Sequence, residues 1–121
     1  MAKSLDELLG LKGVIAAGEF SETGRLIAFR SSGKPLPDDV ALLTAQFSAA
    51  ISQLLGVLAV AHSRISGFNW VPQQSWTYSG GDLTIAVGGS RGVFVKTTEA
   101  DFNQLFEALI GSRQLTETGV R

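Results

Sequence analysis

From Val40 to Ala61 the chain carries no charged residue, and between Pro37 and Pro72 it has no proline. A bland, unbroken stretch of that length reads as one long helix, running from Pro37 to Ser66 and stopping at Gly67. Projected at about 100° per residue, Leu43, Phe47, Ile51, Leu54, Leu58, Ala61 and Ile65 fall on one stripe. Ala45, Ala49, Ser52, Gly56, Ala59 and Ser63 fall on the opposite one. The large stripe is expected to bury itself against the chain's own sheet. The small stripe is expected to admit a second helix, because short side chains let backbones approach closely. The stretch is long enough for a bilayer span. However, Thr44, Gln46, Ser48, Ser52 and Gln53 interrupt its first half, and its flanks lack a Lys/Arg bias or an aromatic belt. The expectation is a soluble, cytoplasmic chain without membrane insertion.

Length and composition narrow the field further. At 121 residues the chain is expected to form one domain over residues 1–111, followed by a polar tail over 112–121. Charged residues make up 17%, against about a quarter in an ordinary domain, which suggests surface hidden by a partner. Ten basic and eleven acidic residues, with no Lys/Arg cluster, give no electrostatic case for nucleic acid. The absence of cysteine excludes disulfides and thiolate metal sites. The start of the chain has acids at Asp6 and Glu7 and no long apolar run, so it does not read as a signal peptide.

The remaining elements follow from local chemistry. Ser4 and Glu7 have capping-box spacing before a short helix ending at Gly10. Two strand-length apolar runs, 13–20 and 25–30, flank a polar connection containing Gly24 and predict a hairpin. After the long helix, strands are expected over 75–79, 83–88 and 92–97, joined by glycine-rich turns. Thr98 to Asp101 is expected to open a last helix with a hydroxyl cap; its apolar face is Phe102, Leu105, Phe106, Leu109 and Ile110. The order is α-β-β-α-β-β-β-α. This predicts an α+β domain: a five-stranded antiparallel sheet with the long middle helix on one face and two short terminal helices on the other.

That order, together with Gly13–Phe20, Ser66–Trp70 and Gly92–Thr97, resembles the roadblock/dynein-light-chain family, a profilin-like fold, and within it a prokaryotic group of small roadblock-related proteins. The resemblance covers Leu5 to Ile110. It implies a homodimer in which the middle helices lie side by side and the third strands pair across the two copies. It also implies a regulatory or scaffold role, with Ras-like small GTPases as partners.

The residues point to self-association without the family. Besides the small stripe, the stretch from Trp70 to Gly81 is uncharged and holds Trp70, Trp76 and Tyr78. The strand at 75–79 falls at a sheet edge in this order, and edges are ordinarily guarded by charge, proline or bulges. The expected dimer interface is therefore Ala45, Ala49, Ser52, Gly56, Ala59, Ser63, Trp76 and Tyr78. Gln46, Gln53 and Arg64 share a wet flank of the helix and, with Phe68 and Trp70, are candidates for contact with a further partner. Phe68 and Trp70 have a plainer alternative as core plugs.

No catalytic, cofactor-binding or metal-ligating set is expected. His62 is a single histidine without a paired acid or second ligand. Gly88–Gly92 lacks phosphate-loop spacing and leads into a strand rather than a helix. Two functional classes result: a non-enzymatic homodimeric interaction module, and a small-molecule sensor or carrier using the space between sheet and helix. The second is weakened by the lack of convergent polar groups on the apolar strands.

Overall fold

The computed structural model describes residues 4–33 and 36–111. The tail expected at 112–121 and positions 34–35 of the loop before the long helix lie outside the described residues. Three helices and five strands follow in the order α1 (Leu5–Leu9), β1 (Val14–Phe20), β2 (Leu26–Ser31), α2 (Asp38–Ser66), β3 (Ser75–Ser79), β4 (Leu83–Gly88), β5 (Arg91–Lys96) and α3 (Phe102–Ile110). The strands form one antiparallel sheet ordered β2-β1-β5-β4-β3. The predicted α+β architecture is the observed one.

The helix ends show why the chain breaks where it does. In α1 the Ser4 hydroxyl accepts from the Glu7 amide at 3.2 Å, while the Glu7 carboxylate accepts from the Ser4 amide at 2.9 Å. α2 stops at Gly67, whose φ of 80° is open to glycine at little cost. The last helix departs from expectation. Thr97–Glu99 form a single 3-10 turn, and the cap of α3 is Asp101, whose carboxylate accepts from the Gln104 amide at 3.1 Å. Asp outranks Thr as a cap, so the helix starts at the later residue.

Two cores lie on opposite faces of the sheet. On one, Leu8 of α1 and Leu105, Ala108 and Leu109 of α3 pack over Val14, Ala17, Ala86, Val93 and Val95. On the other, Ala45 and Ala49 of α2 pack over Phe20 and Val87, with Leu26, Trp76 and Ile85 at the margin. Neighbouring residues such as Ala86 and Val87 serve different cores, which is why the strands read as continuous apolar runs rather than alternating ones. At Gly88 the α3 layer comes so close that a Cβ would lie 2.7 Å from Ile110 Cγ2.

Candidate functional site

Which side of α2 faces the sheet decides where this protein can be touched. The small stripe faces inward. Ala45 and Ala49 are 3% and 5% exposed, Ala59 is buried, and Ser52 Oγ accepts from Trp76 Nε1 at 2.9 Å. The large stripe faces out: Phe47 is 59% exposed, Leu54 68% and Ile65 84%, with Leu43 and Leu58 exposed beside them. Both assignments made from the helical projection are therefore reversed. Ala45, Ala49, Ser52 and Ala59 belong to the protein's own core layer, not to a seam with a neighbour.

The reason is volume. The sheet brings its own large groups to this interlayer, namely Phe20, Phe29, Phe94, Ile85, Val87 and the margin of Trp76. Phe29 and Phe94 meet edge to face at 6.4 Å. A helix laid over so much aromatic and branched surface must contribute small side chains, because the layers pack to a fixed density. The remaining interlayer cavity, bounded by Ala45, Ser48 and these strand residues, is about 30 Å³ and almost wholly apolar. That is the room of one water, not of a ligand.

The other predicted contact residues divide. Gly56 is half-buried with nothing within 4 Å of where a Cβ would stand. Ser63 is occupied by the chain itself: its hydroxyl accepts from the Trp70 amide at 2.8 Å. Trp76 is half-buried at the margin of the core, its indole N–H donating to Ser52 Oγ. Tyr78, two residues on, is 66% exposed at the rim of the sheet. Gln46 and Arg64 are exposed. Gln53 is exposed too, but its amide Nε2 donates to Glu22 O at 2.7 Å and ties α2 to the β1–β2 connection. Phe68 is exposed rather than a core plug. Trp70 is half out, its ring 4.7 Å from that of His62 and its Nε1 donating to Ser66 Oγ at 3.0 Å.

Ser66 was missed as an organising residue. Its hydroxyl donates to His62 O at 2.6 Å and accepts from both Phe68 N and Trp70 Nε1. The available signal was a pair of serines one turn apart at the end of a helix, just before glycine. Arg91 was also missed. Its Nη2 donates to Leu109 O at 2.6 Å and so occupies the free carbonyls at the end of α3. Burial lowers its guanidinium pKa from the ordinary value, with Glu19 opposing the shift.

These contacts orient the surface. Ser52 reaches Trp76 of β3, and Leu55, Leu58, Ala59 and His62 look toward β3 and the segment before it, where they wall a groove with Trp70 and Trp76. Gln53 looks toward the β1–β2 connection on the other side. The large stripe lies within about 60° of Leu58 around the helix and faces away from the sheet, and the groove marks the β3 side. β3 is the last strand of the sheet on that side, and it carries no charged residue. The helix thus leaves an apolar face exposed, and the sheet leaves an uncharged strand edge. Among the described residues no group of three or more metal-ligating side chains comes together.

Comparison with known proteins places this geometry. None of the curated proteins matches the chain in sequence. Solved structures match it in fold: a Roadblock/LC7 domain from Streptomyces avermitilis, with TM-score 0.64, 16% identity, and 94% of this chain and 89% of that one covered. The gliding protein MglB from Thermus thermophilus aligns with TM-score 0.62 and 18% identity over 93% and 86% of the two chains. A further MglB, described with a tetrameric arrangement, aligns with TM-score 0.63 and 18% identity over 84% and 73%. The fold is the roadblock fold, as the element order implied. Residues 4–110 match the model of a single family, and the chain belongs to that family, Uncharacterized conserved protein (DUF2173).

Proposed function

We propose that this chain is a non-enzymatic homodimeric interaction module. A second copy covers the outward stripe of α2 and the edge of β3, and the layer made by the two α2 helices receives a protein partner. The observation that carries this reading is the exposure of Phe47, Leu54, Leu58 and Ile65, in a fold whose sheet also ends in an uncharged strand. Contiguous apolar surface of this kind marks an interaction site on a water-soluble fold. A two-fold pairing uses the same patch on both copies and closes on itself. The small-GTPase class remains the preferred partner, on the strength of the roadblock fold. Its expected contact is the outward flank of α2 with Gln46, Gln53 and Arg64, which stays open when the β3 side is covered.

Leu54 lies near the middle of the exposed stripe and touches no core cluster, so its replacement separates assembly from folding. Wild-type protein is expected to scatter light as a dimer at micromolar concentration. Leu54→Asp is expected to scatter as a monomer with an unchanged far-ultraviolet spectrum. A wild-type monomer at several hundred micromolar would sink the dimer. For the partner, immobilised wild-type chain is expected to retain a GTP-binding protein from its native cytoplasm, and Arg64→Glu is expected to lose it. Equal retention by both would remove the flank from the reading.

A further inference from the structure

At the end of the sheet where β4 turns into β5, two opposite charges share one face without meeting. Glu19 of β1 and Arg91 of β5 stand directly opposite each other in the strand register. Cross-strand neighbours of this kind project to the same side of a sheet, and opposite charges there attract. Here α3 intervenes. Arg91 Nη2 donates to Leu109 O at 2.6 Å, which draws the guanidinium toward the last turn of that helix. Among the described residues the Glu19 carboxylate makes no hydrogen bond and no ion pair, and Nε and Nη1 of Arg91 donate to nothing.

Both groups line one pocket of about 480 Å³, walled also by the end of α3, the turn at Gly88 and Gly89, and the segment before β3. Gln73 of that segment adds a third group: its Nε2 is buried and has no acceptor. Gln73 borders the groove beside α2 as well, but only the pocket brings it together with a guanidinium and a carboxylate. Buried polar atoms are nearly always hydrogen-bonded, so an orphan donor beside an underused guanidinium marks a place for an acceptor. The planar fork of arginine suits a carboxylate.

We propose that this pocket binds a small zwitterion of the amino-acid class, its carboxylate on Arg91 and Gln73 and its ammonium on Glu19. Charge selects the class. A phosphate or sulfate dianion would be set against Glu19 and against the carbonyl end of α3, the negative end of the helix dipole. A simple cation would be set against Arg91. A ligand with one charge of each sign leaves neither residue unmatched, and the pocket has the volume of a small-molecule site. Burial strips the guanidinium of part of its hydration and lowers its pKa, and Glu19 opposes this without reaching ion-pair distance. A bound carboxylate supplies the missing counter-charge. The site lies on the α3 face of the sheet, opposite α2, so it stands or falls independently of the dimer.

Titration calorimetry of the full chain with each of the free L-amino acids is the test. At least one is expected to bind saturably. Its N-acetyl derivative, which lacks the ammonium, and the amine that lacks its carboxylate are each expected to bind about tenfold or more weakly. Glu19→Gln and Gln73→Leu are each expected to weaken the same amino acid about tenfold or more, the worth of one hydrogen bond to a charged group. Their far-ultraviolet spectra are expected to stay unchanged; Arg91 is left in place because it also holds the end of α3. Binding of no amino acid overturns the proposal, and so does binding of inorganic phosphate in their stead. Amino-acid binding that survives both substitutions undiminished overturns the assignment to this pocket.

Discussion

Gly56 shows how much a single position on α2 depends on which way the helix faces. It sits within a 29-residue helix, opposite the exposed stripe, and a Cβ there meets nothing within 4 Å. Glycine in a helix interior forfeits stability to the freedom it regains on unfolding. Gly56→Ala is therefore expected to stabilise the fold by about 0.5–1 kcal/mol, read from the urea midpoint, and to leave the oligomeric state unchanged. A destabilised variant would mean that this turn is packed more tightly than the geometry shows. The two stripes around Gly56 were legible as stripes from the sequence alone. Their assignment was not, because small residues signal close approach without naming what approaches. The deciding side chains, Phe20, Phe94 and Val87, lie on strands far from the helix in sequence.

At the scale of elements, local chemistry was sufficient for most of the fold. The Ser4–Glu7 capping box, the glycine-rich turns and the stop at Gly67 each act within a few residues, so their signals survive in a sequence read alone. The start of α3 was misplaced because Thr98 and Asp101 both suit a cap, and Thr98 is taken up in a 3-10 turn while Asp101, the stronger cap, opens the helix. The contact between β4 and α3 was not legible at all. It rests on Gly88, where an added Cβ would lie 2.7 Å from Ile110 Cγ2 and 3.0 Å from Leu109 Cβ, and on Arg91 holding the last carbonyls of α3. Gly88→Ala is expected to push α3 off the sheet and to cost about 1–3 kcal/mol, the usual range for overpacking. Calorimetry checks it; an unchanged melting temperature would show that α3 shifts without resistance.

For the whole molecule, the low charge content and the uncharged α2 both pointed to hidden surface, and the structure locates an apolar face where a partner can lie. α2 is long and apolar enough to cross a membrane by composition, yet one of its faces is committed to the sheet through Ala45, Ser48 and Ala49. The smaller part of its apolar character thus belongs to the domain and the larger part is left over. The two ends of the sheet differ as sharply as the two faces of the helix. β3 ends it without a charge, whereas β2 at the other end carries exposed Arg30 and is preceded by exposed Arg25, and its pairing with β1 is interrupted by a register shift between Glu19 and Phe20. Positive charge and a bulge are the means by which strands refuse company. Should a second copy pair at β3 as proposed, the extended sheet would end in a β2 edge on both sides and have nowhere left to grow, so that pairing would stop at two copies rather than lead to a fibre.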